Sequence, residues 1–319
     1  MPVPVPATLL SFIREGTDFI VTGHREPDGD CAGSQLALAS LLRRMGKTAL
    51  ACSAGPFKRS EIKSLEKHFA PYPEKRDGLR LIVMDCSARE RVGDLPLDGM
   101  PTAVVDHHVP GNSWGDIRYL DPEAPSVTFM VLRIFEELGM EPSAEEAELL
   151  LFGLCTDTGF FRHLEAGMTE AFRAAAVLSA AGASPKKTYA AINGKKTLNS
   201  RLLMGAILAK TRPFYGGRLL LSGETLEETR QFGLESRDSD TIYQLLLSIE
   251  GAEAVALIRQ ENPEECTIGF RSQDRIDVAA IARDFGGGGH KNASGAKVPG
   301  TISELEEQVV RAFSPWFRP

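Results

Sequence analysis

Three apolar runs, each ending in metal-ligand-type side chains, constrain this chain more than any other feature. They are "DFIVTGH" (18–24), "LRLIVMDCS" (79–87) and "TAVVDHH" (102–108). Their apolar residues are continuous, without the alternation of a half-exposed strand, so both faces of each strand are expected to be buried. Helix-forming stretches such as "CAGSQLALASLLRRMG" (31–46) lie between them. Buried strands separated by helices predict an α/β fold with a mainly parallel sheet covered on both faces. In such a sheet, ligands bind beyond the carboxyl ends of the strands. His24 with Asp28 and Asp30, then Asp85, then Asp106, His107 and His108 all fall at those ends. They are therefore expected in one crevice, with Asp157 of "GLCTDTGFF" as a fourth contributor.

Each element alone has an ordinary explanation. "PDGD" is turn chemistry, Asp85 suits a helix cap, and Asp157 suits a helix end. Together they bring several carboxylates into one place, where they repel one another unless a cation neutralises them. Oxygen ligands with a few imidazoles suit Mn²⁺ or Mg²⁺ better than a thiolate-type zinc site. Two such ions about 3.5–4 Å apart clamp the attacking and leaving oxygens of a phosphoryl displacement.

The remaining chain narrows the class of protein. The formal net charge is −7, which argues against a long basic surface for nucleic acid but leaves room for a local phosphate pocket. No apolar window is long enough for a membrane span, and the N-terminus lacks signal-peptide features. Five scattered cysteines without CxxC spacing fit reduced thiols in the cytoplasm. A composition shift near Gly182 suggests a first domain over 1–184, a connector over 185–210 and a smaller α/β domain over 211–319. In that second domain "GGGGHKNASG" (286–295) follows a helix, which rules out a Rossmann fingerprint. One glycine caps a helix, so four in a row suggest a close backbone approach to a ligand.

"HREPDGDCAGS", "VMDCS", "VVDHH" and "GLCTDTGFFR", in that order, resemble the four motifs of the DHH phosphoesterase superfamily. "GFRSQDRIDVAAIARDFGGGGHKNASG" (269–295) resembles its GGGH-type associated substrate domain. The resemblance implies two divalent metal ions, Mn²⁺ before Mg²⁺. His24, Asp28 and Asp85 would hold one, and Asp30, Asp85, His107 and Asp157 the other. It further implies that Asp106 orients an imidazole, that His108 faces the scissile phosphate, and that Asp85 bridges the metals. Arg271, Ser272, Gly287, Gly288, Gly289 and His290 would bind the substrate, with the active site in a cleft between the domains. In size and arrangement the chain is most similar to the bacterial branch acting on short oligonucleotides and on 3′-phosphoadenosine 5′-phosphate. The implied reaction is attack by a two-metal-activated hydroxide. Phosphorylated nucleotides would be the partners, with no long nucleic acid and no membrane, and the sequence is compatible with a homodimer. The competing readings are a cyclic or linear dinucleotide phosphodiesterase and a nucleotide sensor without turnover.

Overall fold

The computed structural model of the chain describes residues 3–93, 99–108, 114–194, 196–273 and 275–317. It divides into two compact units, 1–195 and 196–319. The first unit runs α1 (Ala7–Glu15), β1 (Asp18–Gly23), α2 (Gly29–Arg44), β2 (Thr48–Ala51), β3 (Leu79–Met84), α3 (Arg89–Val92), β4 (Thr102–Asp106) and β5 (Ile117–Leu120). Four helices follow: α4 (Val127–Glu137), α5 (Ala144–Asp157), α6 (Thr169–Ala180) and α7 (Pro185–Asn193). The five strands form one sheet in the order β2-β1-β3-β4-β5, and every pairing is parallel. β1, β3 and β4 are its three central strands, which is why the three apolar runs show no alternation. Residues of one sheet face join α1, α2, α4 and α5 in the main core, with Leu38, Leu42, Phe135 and Leu151 fully buried. Ile20, Leu81, Val83 and Val104 belong to a smaller cluster on the opposite face.

Two glycines let α2 lie against α5. A Cβ on Gly33 would sit 2.7 Å from the Leu149 carbonyl oxygen. One on Gly153 would sit 2.4 Å from Thr128 Cγ2 and 3.0 Å from Asp30 Oδ1. That approach carries Asp30, at the start of α2, toward Asp157, at the end of α5. Gly33→Ala is expected to lower stability. The gain in helix propensity is about 1 kcal/mol, while overpacking against a backbone carbonyl costs about 1–3 kcal/mol. The urea midpoint should fall, and a midpoint that rose would show that the two helices have room to separate.

The second unit comprises α8 (Leu198–Ala209), β6 (Arg212–Phe214), β7 (Leu219–Glu224), α9 (Leu226–Phe232), α10 (Ser239–Leu247), β8 (Ala254–Asn262), β9 (Glu265–Ser272), α11 (Val278–Asp284), β10 (Gly288–His290), β11 (Ala293–Pro299) and α12 (Ile302–Ala312). Its mixed sheet has the order β10-β11-β9-β8-β7-β6. Cys266, Ile268 and Phe270 of β9 face a core shared with α11 and α12. On the other side, Leu220, Val255 and Leu257 pack with residues of α8 and α10.

The segment 185–210, read from composition as a connector, holds α7 and α8. Ser184 caps α7 by accepting from the Lys187 amide, with Pro185 in its first turn, and Thr197 caps α8 through the Ser200 amide. A capping serine followed by proline is a helix start, a signal outweighed in the sequence by the thin apolar face of "SPKKTYAAIN". The five cysteines are free and buried. Among the described residues, no helix is long and apolar enough to cross a membrane.

Candidate active site

The site is built at the carboxyl ends of β1, β3 and β4. Asp85 follows β3 directly and is 2% exposed, with a positive φ of 57°. A non-glycine residue in the left-handed region stores strain that the surrounding structure must enforce. The turn aims the carboxylate across the ends of both neighbouring strands. Its Oδ2 lies 3.5 Å from His24 Nε2. Its Oδ1 lies 3.8 Å from His107 Nε2 and 3.4 Å from His108 Nδ1, and has no hydrogen-bond partner despite being buried. An orphaned buried carboxylate oxygen facing two imidazoles, with a third against the other oxygen of the same group, fits a cation site.

Two of the imidazoles are held in the tautomer that metal binding needs. His24 Nδ1 lies 2.8 Å from the Arg25 carbonyl, and His107 Nδ1 lies 3.0 Å from that of Ala124. A carbonyl only accepts, so both Nδ1 atoms carry the proton and both Nε2 lone pairs point into the site. His107 Nε2 is also 3.3 Å from Asp157 Oδ2, and His24 Nε2 is 4.0 Å from Asp28 Oδ1. Among the described residues, three donor groups lie close enough to hold an ion: Asp85 with His107 and His108, Asp30 with His107 and Asp157, and His24 with Cys31 and Asp85.

His108 is held differently. Its Nδ1 is 2.8 Å from Asp106 Oδ1, and its main-chain amide donates to the same oxygen at 3.1 Å. The Asp106 hydrogen bond raises the His108 pKa to about 9. Burial pushes the Asp106 carboxyl up, but the bonds from His108 outweigh it and hold the group below its ordinary range. The adjacent histidines thus differ in their partners: Nδ1 of His107 meets a carbonyl, while Nδ1 of the half-exposed His108 meets a carboxylate.

The acids behave as a crowd. Burial raises Asp85 well above the ordinary carboxylate range, and the Asp30, Asp28 and Asp157 charges raise it further. Burial, then Asp30, pushes Asp157 up to about 7. Burial also raises Asp30, against the pull of His107 and Thr128. Removing this cost takes positive charge, and oxygen donors with inward-facing imidazoles fit a hard divalent cation.

Some of these residues have second duties that sequence reasoning did not find. Asp28 is the N-cap of α2, accepting from the Cys31 amide, while its carboxylate lies 4.0 Å from His24. Asp30 caps a different helix: it accepts from the Val127 and Thr128 amides at 2.6 and 2.8 Å and from the Thr128 hydroxyl at 2.7 Å. A carboxylate has roughly four lone-pair positions, so about one remains for a metal. Cys31 lies in the His24–Asp85 group, but burial and the Asp85 and Asp28 charges push its thiol far up, and it already accepts from Gln35 Nε2. It contributes packing.

In the second unit the cross-strand register aligns His290 with Ala293 and Ala293 with Arg271. Arg271 and His290 therefore share one sheet face with a single strand between them. The next row is Gly288, Gly295 and Gly269, a floor of glycines on that face. The glycine run divides into several roles. Gly286, with φ of 72°, ends α11. A Cβ on Gly287 would sit 2.2 Å from the Gly295 carbonyl oxygen, and one on Gly289 2.6 Å from that of Ala293. The approach anticipated for a ligand is thus made by β11 at two positions, and open space lies beside Gly288. Ser272 is buried and donates to the Ile276 carbonyl at 2.7 Å, so its hydroxyl is committed to the fold.

The profile of the DHH family, N-terminal domain, matches residues 18–154, and that of the DHHA1 domain matches residues 225–318. The chain is 31% identical over 299 residues to the bifunctional oligoribonuclease and PAP phosphatase NrnA of Thermus thermophilus, covering 93% of this chain and 89% of that protein. The Bacillus subtilis protein of the same name is 28% identical, covering 88% of each chain. An exopolyphosphatase-related protein from Bacteroides fragilis superposes with a TM-score of 0.83 at 24% identity, over 98% of this chain and 97% of that one.

Proposed function

Because the chain belongs to the DHH family, we propose that it is a metal-dependent phosphoesterase that hydrolyses short oligonucleotides and 3′-phosphoadenosine 5′-phosphate. The observation that carries this reading is Asp85: buried, in a strained turn, its free oxygen facing His107 and His108. His24, Asp28 and Asp85 would hold one divalent ion, and Asp30, Asp85, His107 and Asp157 a second, with Mn²⁺ preferred. Bound there, such ions polarise the phosphate and acidify water, the chemistry of two-metal phosphoester hydrolysis.

The chain's own residues do the rest. The Arg25 and Ala124 carbonyls fix the two ligand imidazoles, so no ring has to turn when an ion arrives. Asp106 locks His108 with Nδ1 protonated, and its hydrogen bond raises the pKa of the ring. The Nε2 proton of His108 is then available to a phosphate oxygen or to the departing alkoxide. Arg271 presents a fork of donors for a terminal phosphate, and His290 and the open side of Gly288 complete the binding face. Every acid and imidazole proposed as a ligand is present, which speaks against a sensor without turnover.

The test is parallel turnover with Mn²⁺ on a 5′-phosphorylated dinucleotide, 3′-phosphoadenosine 5′-phosphate, pyrophosphate and a cyclic dinucleotide. The first two should be hydrolysed at least about tenfold faster than the others. Preference for the cyclic substrate would replace this reading with a signalling phosphodiesterase.

A further inference from the structure

We infer that Tyr243 is the positioning residue for Arg271, and that residue 269 is glycine so that Tyr243 can reach it. The inference rests on reading Arg271 as the group that holds the substrate's terminal phosphate. Arg271, Gly269 and Thr267 alternate with the buried Phe270, Ile268 and Cys266 along β9, so they share the opposite face. α10 covers part of that face, and Tyr243 lies in its cluster with Ile242, Leu246, Val255 and Leu257 at 3% exposure. The Arg271 guanidinium carbon stands 4.5 Å from the Tyr243 ring centroid. Its Nη1 also donates to the Phe270 carbonyl at 2.9 Å.

Those two restraints differ from the way this unit treats two other half-buried arginines. Arg237 and Arg259 both pair with the fully buried Glu224, and Arg237 pairs with Glu261 as well. Among the described residues no carboxylate pairs with Arg271. It is held by an uncharged ring and a carbonyl, so its position is fixed while its charge remains available to an anion. A phosphate-binding arginine needs both, because ordering a free side chain at the moment of binding costs affinity.

Gly269 shows how the ring gets there. Its φ is not positive, so no turn requires a glycine at this point in β9. A Cβ built on it would lie 1.9 Å from the Tyr243 hydroxyl oxygen and 3.0 Å from Cζ. The phenol therefore slides across residue 269 to lie against Arg271, and any side chain there would displace it.

The experiment measures kcat and KM of the Mn²⁺-loaded enzyme on a dinucleotide with and without its 5′-phosphate. Tyr243→Leu should raise KM for the phosphorylated substrate about tenfold, the worth of a desolvated cation–π contact. Its kcat should stay near wild type, and KM for the 5′-hydroxyl substrate should not move. Tyr243→Phe keeps the ring and should behave as wild type. Gly269→Ala should reproduce Tyr243→Leu, and it decides the matter if the leucine variant does not fold. If Arg271→Ala abolishes the preference for the 5′-phosphate while Tyr243→Leu and Gly269→Ala retain it, the positioning role is wrong. If Arg271→Ala itself leaves the preference intact, the reading of Arg271 fails first.

Discussion

Asp85→Asn is expected to reduce hydrolysis of a 5′-phosphorylated dinucleotide by about three orders of magnitude or more, because several kcal/mol of metal-derived charge stabilisation are lost with one ligand. The change is nearly isosteric and replaces one carboxylate oxygen by an amide. That oxygen is either the one 3.5 Å from His24 or the unpartnered one facing His107 and His108. Either way, the group proposed to join the two ions loses its charge. The same variant should be no less stable than wild type when metal is absent. Asp85 is buried beside Asp30, Asp28 and Asp157, and those neighbours raise its pKa, so a neutral side chain relieves the crowd. Loss of activity with a retained or raised melting temperature separates a ligand from a structural acid. Wild-type turnover in Asp85→Asn would remove the two-metal site from the mechanism.

Which parts of this site could be read from sequence follows from which features are local. The three strand ends were legible because a buried strand with a terminal acid or histidine leaves a simple pattern: apolar run, then ligand. His107 and His108 are neighbours in sequence and could be assigned different jobs only through the family resemblance. The structure gives one Nδ1 a carbonyl partner and the other a carboxylate partner. Asp106 is buried and accepts twice from His108.

Other features depend on contacts that no local pattern carries. Nothing in "PDGDCAGS" shows that Asp30 caps a helix beginning at Val127, nearly a hundred positions later. Gly33 and Gly153 read as ordinary small helix residues, and only the approach of α2 to α5 shows why they are small. In the glycine run, the neighbour across the strand distinguishes the positions: Gly287 and Gly289 meet β11, and Gly288 meets open space. Tyr243 lies far from any motif and reads as one more apolar position of an amphipathic helix. Its bearing on Arg271 appears only once α10 lies against β9.

Divalent metal should stabilise the protein by an amount that grows with pH. The folded-state pKa of Asp157 is raised to about 7 from an ordinary 3.8, and Asp85 and Asp30 are raised in the same direction. Between the unfolded and folded values the folded chain binds more protons than the unfolded chain. The contribution of Asp157 to the stability of the metal-free protein therefore falls as pH rises from about 4 to about 7, and Asp85 and Asp30 act in the same direction. Below that window the acids are protonated in both states and contribute nothing. Above it Asp157 is ionised and repels its acidic neighbours. A cation needs the ionised form, so protons compete with it throughout the same window. At hundredfold excess over its dissociation constant, Mn²⁺ adds about 2.7 kcal/mol. That constant itself should weaken as the acids protonate. The rise in melting temperature produced by a fixed Mn²⁺ concentration should thus be small near pH 5 and large near pH 8, and EDTA should abolish it. Taking the difference with and without metal at each pH cancels the titration of every group remote from the site. Asp157→Asn should flatten the dependence, since it removes a proton competitor along with a ligand. A metal effect of equal size at both pH values in the wild type would mean that these carboxylates do not bind the ion.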